Sequence, residues 1–363
     1  MKGKEITNHQ MGVVLSLSII SLKVLIFPAV IGRYALNNCY ISVILSLLVD
    51  FGFILAIIYV MKKNQGLTFY EVLEKSFGKV VSKIICTLLT VFYILKAVIA
   101  IKELQNYFVQ LLFQDIDWAL FVFPLVALLL YIMNKSFRTF ARSAEFFYYV
   151  VIAGAIISVI VPLRDFKIFN LLPFMADGLK PIVKGSFLTT FQFGDFLVLL
   201  LCMGRFNYSK KSAHTIIRFT LLTDMVIVFF FLIFVALFGD TVLNQILAVS
   251  DVPLYSNMAY NNGRLEWISI IIWTIVLIFQ AGIMLLCACE MLQYVTEIKQ
   301  RFWVSVIIMA IVFAFLIVLY LNLADALKIV CSVAFASTIF SFKLLVVLML
   351  LIASWRRKDE KFA

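Results

Sequence analysis

Ten long apolar runs, separated by short polar segments, constrain this chain more than any other feature of its sequence. A helix of about 20 apolar residues crosses the hydrocarbon core of a bilayer, which is roughly 30 Å thick. Hydrophobic residues fill 64% of the 363 positions and charged residues only 14%, a balance that excludes a soluble globular domain. The sequence therefore predicts an all-α polytopic membrane protein with about ten transmembrane helices. These predicted helices, called spans 1 to 10, lie within residues 11–31, 40–61, 82–110, 118–134, 144–163, 184–204, 217–239, 267–290, 302–321 and 325–354.

The basic residues are distributed unevenly between the two sides of this topology. If both termini are cytoplasmic, the inner side carries 20 Lys and Arg and the outer side six, while the other five of the 31 lie inside spans. Because cytoplasmic loops are enriched in Lys and Arg, the count predicts that both termini, including a basic tail at 355–363, lie in the cytoplasm. The net charge of +11 thus reflects topology in a lipid bilayer, and no nucleic-acid partner is expected.

Ten spans divide into two halves of five, and an odd number of spans inverts the second half relative to the first. We predict a single integral membrane domain, with one five-helix repeat at 1–163 and a second at 184–354. In transporters built from inverted repeats, the ligand lies near mid-membrane between interrupted helices at matching positions of the two halves. Spans 1 and 6 hold these positions here.

Span 1 contains a lysine at mid-depth and a proline shortly after it. A lysine at the centre of a membrane helix costs at least ~2.5 kcal/mol to insert, so Lys23 is expected to face protein or a water-filled cavity. Pro28 removes a backbone donor and disfavours helix at Phe27. Loosened backbone beside a buried charge predicts a site for a small polar ligand. The alternative is a kinked packing helix whose lysine pairs with a structural carboxylate.

Span 6 has the second predicted interruption, in the stretch Phe191-Gln-Phe-Gly-Asp195, where a glycine weakens the helix beside a carboxylate. Lys23 and Asp195 fall at matching depths in spans 1 and 6. Such a pair could neutralise the empty site, or bind the carboxylate and ammonium groups of an amino acid. The alternative is a pair that only holds two broken helices together.

Spans 3 and 8 add polar residues to the interior. Lys96, Glu103 and Gln110 recur every seven residues along span 3, so one face of that helix is polar and is expected to line a pathway or to form interhelical ion pairs. Gln280 lies on a stripe of span 8 that also contains Trp273. Such a stripe is typical of a helix–helix packing interface and also occurs in the wall of a ligand-binding site.

Two further charges, Asp50 in span 2 and Lys343 in span 10, are also deep, and the sequence leaves their role open between structure and function. The residues that we predict to contact a ligand are those at the two interruptions and at the same depth in spans 3 and 8. They are Ser21, Lys23, Val24, Lys96, Gln192, Gly194, Asp195 and Gln280.

Motifs for catalysis or metal binding are absent from the sequence. His9 and His214 lie near predicted cytoplasmic ends without a nucleophile and acid beside them, and there is no phosphate loop or zinc motif. Cys287 and Cys289 would point about 200° apart on a helix, which disfavours a shared metal. We therefore expect no enzyme activity, no cofactor and no metal.

Several short motifs are spread along the chain, and each of them alone is weak. They are Thr7-x-x-Gln10, which fits a helix capping box, Leu25-Ile-Phe-Pro28, Phe77-Gly-Lys79, Ala141-Arg142 with Glu145, Asn170-Leu-Leu-Pro173 with Gly178 and Pro181, and Arg264-Leu-Glu266 leading to Trp273. Together they resemble the motifs of one family, the B subunits of bacterial spore germinant receptors, within the amino acid–polyamine–organocation superfamily. The similarity runs nearly end to end.

This resemblance implies a LeuT-like inverted repeat of ten helices that holds an amino-acid-type germinant between spans 1, 3, 6 and 8. It also implies assembly with a larger A subunit and a lipoprotein C subunit in the spore inner membrane. The chain departs from related sequences in span 1, where they commonly have glycines and this chain has Ser21 and Lys23.

The combined hypothesis is a membrane-embedded subunit that senses a small germinant, such as an amino acid, at the level of Lys23 and Asp195 and signals to partner subunits. One alternative is a proton-coupled or facilitative amino-acid transporter of the same fold. Sodium coupling is not expected, because span 8 has no hydroxyl between Thr274 and Glu290. Another alternative is a ligand-free scaffold that anchors partners.

Overall fold

The computed structural model describes residues 6–25, 27–111, 118–172, 174–175, 178–245, 248, 252, 266–321 and 329–359. Within these ranges the secondary structure consists of helices, with no strand. Among the described residues, seven helices are long and apolar enough to cross a membrane, or eight if one sharply bent pair counts as a single span. The predicted all-α polytopic membrane fold is thus confirmed.

The α-helices are numbered here in chain order, and short 3-10 segments connect some of them. The α-helices are α1 (Asn8–Ile20), α2 (Phe27–Ala35), α3 (Cys39–Lys63), α4 (Phe69–Leu111), α5 (Trp118–Met133), α6 (Phe137–Ile160), α7 (Leu179–Leu188), α8 (Val198–Cys202), α9 (Lys210–Phe238), α10 (Glu266–Thr296), α11 (Arg301–Leu321) and α12 (Val333–Asp359). The 3-10 segments are Ser21–Lys23, Leu36–Asn38, Val161–Asp165, Ile168–Leu171, Thr190–Gln192, Asp195–Leu197 and Gly239–Asn244.

Each of the ten predicted spans contains helix, but spans 1, 4 and 6 contain shorter helices than the other spans. Span 6 is divided between α7 and α8, of 10 and 5 residues. Span 1 is divided between α1 and α2, and span 4 corresponds to α5, of 16 residues. The count of ten and the five-plus-five repeat therefore stay predictions. Residues 325–328 of span 10, residues 360–363 of the basic tail, and the motif residues Pro173 and Arg264 lie outside the described residues.

Helix α1 is a core helix of the bundle. Residues 10–20 are all buried, and all of them except Gln10, Gly12, Ser16 and Ser18 are large and apolar. A helix that is apolar and buried all round packs among other helices and not against solvent or lipid. Its most extensive partner is α9, and the capping box predicted for Thr7 and Gln10 starts it. Gly12 lets the two helices approach, because it faces the ring of Phe219.

The two predicted interruptions are present. In span 1, α1 is followed by the 3-10 turn Ser21–Lys23, and α2 begins at Phe27. Pro28, the second residue of α2, disfavours helix in the residues before it. In span 6, the helix bends by 51° between Leu179–Leu188 and Thr190–Cys202. The break of span 6 continues beyond this bend through the 3-10 segments Thr190–Gln192 and Asp195–Leu197. Gly194 lies between these segments with a φ of +99°, a left-handed conformation that glycine adopts readily.

The packing of α1 against α9 predicts opposite effects for two glycine-to-alanine substitutions. Both Gly12 and Gly52 lie inside helices, where alanine is favoured over glycine by about 1 kcal/mol. At Gly12 an added Cβ would lie 2.5 Å from Phe219 Cδ2, and overpacking typically costs about 1–3 kcal/mol. At Gly52 an added Cβ would have no described heavy atom within 4 Å, apart from its chain neighbours and the backbone of its own helix. We therefore expect Gly12→Ala to lower the thermal unfolding temperature in detergent relative to Gly52→Ala.

Equal unfolding temperatures for the two alanine variants would contradict this close contact between α1 and α9. Gly52→Ala serves as the matched control because it makes the same chemical change in a helix without the steric contact.

Candidate functional site

The break after α1 is held by the ammonium group of Lys23, which is 1% exposed. Its Nζ donates to the carbonyl of Ile19 at 2.7 Å and to Asp195 Oδ2 at 2.5 Å. The last carbonyls of a helix have no partner within the helix, and a cation near the C-terminal end stabilises them. Lys23 therefore satisfies the broken end of α1 and at the same time connects it to span 6.

Asp195 is the centre at which four parts of the chain meet. Its Oδ2 accepts from Lys23, and its Oδ1 accepts from Lys96 Nζ and from Gln280 Nε2, both at 3.0 Å. These three donors come from the break after α1, from α4 and from α10. Asp195 itself is 1% exposed and begins the 3-10 turn that leads into α8. The carboxylate is thus satisfied entirely by side chains of distant helices.

Aromatic rings surround the two lysines on their remaining sides. Lys96 Nζ lies 5.4 Å from the ring centre of Phe191 and 6.0 Å from that of Phe92, and Lys23 Nζ lies 5.2 Å from that of Phe193. A cation within about 6 Å of a ring face is attracted to it, more strongly where water is excluded. Lys96 also donates to the backbone carbonyl of Gln192 at 3.1 Å, in the break of span 6.

A second ion pair lies on another side of the same break. Lys343 Nζ of α12 donates to the carbonyl of Thr190 at 3.2 Å and lies 3.6 Å from Asp50 Oδ1 of α3. Asp50 Oδ2 accepts the N–H of Gly194 at 2.8 Å. The two residues whose role the sequence left open therefore bind the backbone of span 6 directly. An added Cβ at Gly194 would lie 2.8 Å from Lys343 Cδ, so the lysine stem packs against the glycine.

Three lysine ammonium groups thus donate hydrogen bonds to backbone carbonyls at the two breaks. The carbonyls are those of Ile19, Gln192 and Thr190. When ionised, the three ammonium groups face two carboxylates, of Asp195 and Asp50. The five charged side chains are at most 8% exposed as residues, so the cluster lies almost entirely out of contact with solvent. Two further carboxyl groups, of Glu103 and Asp224, lie within electrostatic range of Lys96 and of Lys23.

The remaining predicted ligand residues, Ser21, Val24 and Gln192, lie at the breaks and make other contacts than a hydrogen bond to Asp195. Ser21 is buried and donates to the carbonyl of Ser18 at 3.3 Å. Val24 is buried directly after the 3-10 turn. Gln192 contributes its backbone carbonyl to Lys96, while its side-chain Oε1 is buried and bonded to no described residue. The structure brings Lys23, Lys96, Asp195 and Gln280 into one cluster. Gly194 lies beside this cluster and donates its N–H to Asp50.

Helices α4 and α10 run antiparallel in a defined register. Ser82 Oγ is 3.0 Å from the Tyr294 hydroxyl, and Lys96 and Gln280 bind the same oxygen of Asp195. The step from residue 82 to 96 along α4 thus matches the step from 294 to 280 along α10, 14 residues in each case.

Seven further residues, about 10.5 Å of helix, bring Glu103 of α4 to the level of Trp273 of α10. Both residues are buried, yet Glu103 Oε2 and Trp273 Nε1 have no hydrogen-bond partner among the described residues. Buried polar groups are normally hydrogen-bonded, so these two atoms are exceptions within the described part of the bundle. The polar face predicted for span 3 therefore extends beyond the ion pairs.

Sequence reasoning missed Tyr93, whose buried hydroxyl donates to the carbonyl of Leu197 at 2.9 Å and so holds the start of α8. One tyrosine among 14 has no distinguishing pattern in the sequence. The aromatic rings around the lysines were missed for the same reason, since 36 phenylalanines give no local signal. Asp50 and Lys343, by contrast, were detectable as intramembrane charges of opposite sign.

A family model described as spore germination protein, the spore permease family, matches residues 5–326 of this chain. The match extends from just before α1 to beyond the end of α11, so it contains every residue of the ion-pair cluster except Lys343. It confirms the family that the sequence motifs predicted, while the wider superfamily stays a prediction. No curated protein matches the chain.

The ion-pair cluster predicts an order of stability for three variants. Removing one partner of a buried ion pair costs about 3–5 kcal/mol, because the other charge stays buried without compensation. Asp195→Asn leaves two ammonium groups without their shared carboxylate, whereas Lys23→Met leaves Asp195 with Lys96. We expect Asp195→Asn to lower the unfolding temperature in detergent more than Lys23→Met.

The third variant, Lys23→Met/Lys96→Met/Asp195→Leu, should recover part of the loss, since apolar replacement of a whole buried charge group is often neutral. An Asp195→Asn protein that unfolds at the wild-type temperature would contradict the central role of this carboxylate.

Proposed function

The chain belongs to the spore germination protein family, and from this premise we propose that it is the membrane-embedded, non-enzymatic sensing subunit of a spore germinant receptor. It binds a small nutrient, of the amino-acid class, at the level of Lys23 and Asp195. The observation that carries the proposal is the carboxylate of Asp195, held by Lys23, Lys96 and Gln280 between two broken helices. This arrangement contains, inside the protein, the same two charged groups that an amino acid carries.

Ligand binding is proposed to exchange internal ion pairs for ligand ion pairs. The ammonium group of an amino acid can replace a lysine at Asp195, and its carboxylate can then bind the lysine that was released. Every charge stays paired through such an exchange, which matters because an unpaired charge in this environment is very unfavourable.

The exchange supplies a physical basis for signalling. Lys23 binds the end of α1 and Lys96 binds the break of span 6. A ligand that moves either ammonium group changes the free energy of both breaks, and so shifts the equilibrium between two arrangements of the helices. Partner subunits would read that shift. We propose an A and a C receptor subunit as these partners, in the spore inner membrane, with both termini of this chain in the cytoplasm.

A transporter is the second candidate, because interrupted helices at matching positions are the hallmark of several transporter folds. In such transporters, carbonyls of the unwound segments coordinate a coupling cation. Here tethered lysine ammonium groups bind the carbonyls of Ile19, Gln192 and Thr190. A tethered cation cannot move down a gradient, which favours the sensor over an ion-driven transporter and restricts the alternative to proton coupling through Asp195 or to facilitated diffusion.

Binding of labelled proteinogenic amino acids to the purified protein in nanodiscs tests the sensor. We expect saturable binding of at least one amino acid, and a loss of affinity of tenfold or more in Asp195→Asn, since a hydrogen bond to a charged group contributes about 1.5–3 kcal/mol. Glu297→Gln is the matched control, because Glu297 is 57% exposed and pairs with Lys79 and Lys83 outside the cluster.

The same protein in proteoliposomes distinguishes the candidates. A sensor binds without accumulating the amino acid, whereas accumulation driven by a pH gradient and lost in Asp195→Asn would establish the transporter. If the folded protein, together with co-purified A and C subunits, shows no saturable binding, both the sensor and the transporter are overturned. The chain would then be a scaffold that anchors its partners.

Ligand binding is also expected to be independent of sodium. The backbone carbonyls that would coordinate a cation are already bound by Lys23, Lys96 and Lys343. Binding isotherms measured in NaCl and in N-methylglucamine chloride of equal ionic strength should coincide. A tenfold or greater fall in affinity without sodium would show that a cation site exists elsewhere in the chain.

A further inference from the structure

A cavity of about 500 Å³ lies at the end of the bundle where α1 and α9 begin. Sites for small molecules in proteins are of this size, roughly 300–1,000 Å³. The cavity walls come from the start of α1, from the first turns of α6 and from the segment that leads into α9. The whole length of α1 separates the cavity from Lys23. Neither the family nor the proposed amino-acid site accounts for it.

Two arginines give the cavity a positive charge. Arg138 and Arg142 lie one turn apart on α6, line the cavity and are exposed to solvent. Neither forms an ion pair or a hydrogen bond with another described residue, and no acidic residue is among the described residues of the wall. Like charges four residues apart on a helix repel each other. An anion between the two guanidinium groups would therefore stabilise both.

Glu145, the acidic residue one turn after Arg142 on α6, is already bonded to α1. Its Oε1 lies 2.7 Å from His9 Nδ1, and its Oε2 accepts from Gln10 Nε2 at 2.9 Å. Both carboxylate oxygens of Glu145 thus have partners, and Glu145 does not line the cavity. The two arginines therefore lack an acidic partner within the described structure.

Helix α6 extends beyond the start of α1, and the arginines lie on the part that extends. Glu145 contacts the first turn of α1, and Tyr148 and Gly12, each further along its helix, lie against the same ring, that of Phe219. The two helices therefore run in the same direction. Arg138 precedes Glu145 by seven residues, which places it about 10.5 Å further out along α6.

The starts of α1 and α9 add hydrogen-bond donors to the same cavity. The first N–H groups of a helix have no partner within the helix, and this end of a helix attracts anions. The capping boxes of Thr7 and Ser209 satisfy the N–H groups of Gln10 and Ser212. Thr7 and Ser209 both line the cavity, so two helix N-termini border the same space as the two arginines.

The chemistry and the position of the cavity both favour a phosphate group. A guanidinium group donates two parallel hydrogen bonds to phosphate oxygens, and two neighbouring guanidinium groups can bind one phosphate from two sides. Helices α6 and α9 are long and apolar enough to cross a membrane, so their first turns lie at the level of the lipid headgroups. Basic pockets between membrane helices bind anionic headgroups at this level.

We propose that this cavity is a binding site for a phosphate group, to which Arg138 and Arg142 donate hydrogen bonds. The phosphate is that of an anionic lipid headgroup or of a soluble molecule, since both present the same oxygens to the two arginines. A phosphate in this place connects α6 to the starts of α1 and α9. Because α1 runs from the cavity to the break at Lys23, the bound phosphate also stabilises the position of α1 in the bundle.

Inorganic phosphate and phosphatidylglycerol are the probes for the two sources. Phosphorus NMR measures the binding of inorganic phosphate to the full chain in phosphatidylcholine nanodiscs at constant ionic strength. Native mass spectrometry measures the binding of phosphatidylglycerol against a background of phosphatidylcholine. We expect saturable binding of at least one probe to wild type, and an affinity at least about tenfold lower in Arg138→Gln/Arg142→Gln. Each single variant should lose part of that affinity, which keeps the test valid if the double variant does not fold.

Lys62→Gln/Lys63→Gln is the matched control. It removes the same formal charge from the end of α3, where both lysines are exposed and neither lines the cavity. Binding of phosphatidylglycerol alone would assign the site to a lipid headgroup, and binding of inorganic phosphate would assign it to a soluble phosphate. Equal losses of affinity in the arginine and lysine double variants would reveal attraction to a basic surface in general and overturn the site. A wild-type protein that binds neither probe would also overturn it.

Discussion

The carboxylate of Asp195 stabilises the part of this structure where the burial of charge is most costly. Charges of either sign are costly in an apolar interior unless they are paired and hydrogen-bonded. Lys23, Lys96 and Asp195 are each at most 1% exposed, so none of them is tolerable without the others. Because they come from the break after α1, from α4 and from the break of span 6, their mutual dependence fixes these elements relative to one another. Gln280 adds α10 to the same oxygen as Lys96.

The broken helices and the lysines explain each other. In a hydrocarbon environment every backbone polar group has to be satisfied, and a helix that stops in mid-span leaves carbonyls without partners. Lys23, Lys96 and Lys343 provide those partners at Ile19, Gln192 and Thr190. The lysines in turn find in the carbonyls and in two carboxylates the acceptors that they need. A ligand that enters here has to offer equivalent groups, and this requirement selects for charged, hydrogen-bonding molecules and against apolar ones.

The sequence was sufficient for features that are encoded locally. Hydropathy predicted the class of fold, Pro28 and Gly194 predicted the two breaks, and charges at matching depths predicted the pair of Lys23 with Asp195. The sequence was insufficient where the contacts of a residue depend on which distant helices pack together. Asp50 and Lys343 were recognisable as buried charges, but only the approach of α3 and α12 to the break of span 6 assigns them to Gly194 and Thr190. Tyr93 and the rings near the lysines carried no signal, since apolar and aromatic residues occur throughout such a chain.

The break of span 6 is the element through which different parts of the bundle are coupled. Within residues 190–195, the carbonyl of Gln192 and the carboxylate of Asp195 bind side chains of span 1, α4 and α10. The carbonyl of Thr190 and the N–H of Gly194 bind side chains of α12 and α3. A short non-helical segment that is bound from two sides cannot adjust to one set of contacts without straining the other. A change in the contacts on one side of this segment therefore changes the free energy of the contacts on the other side, and this is how the packing couples α3 and α12 to span 1, α4 and α10.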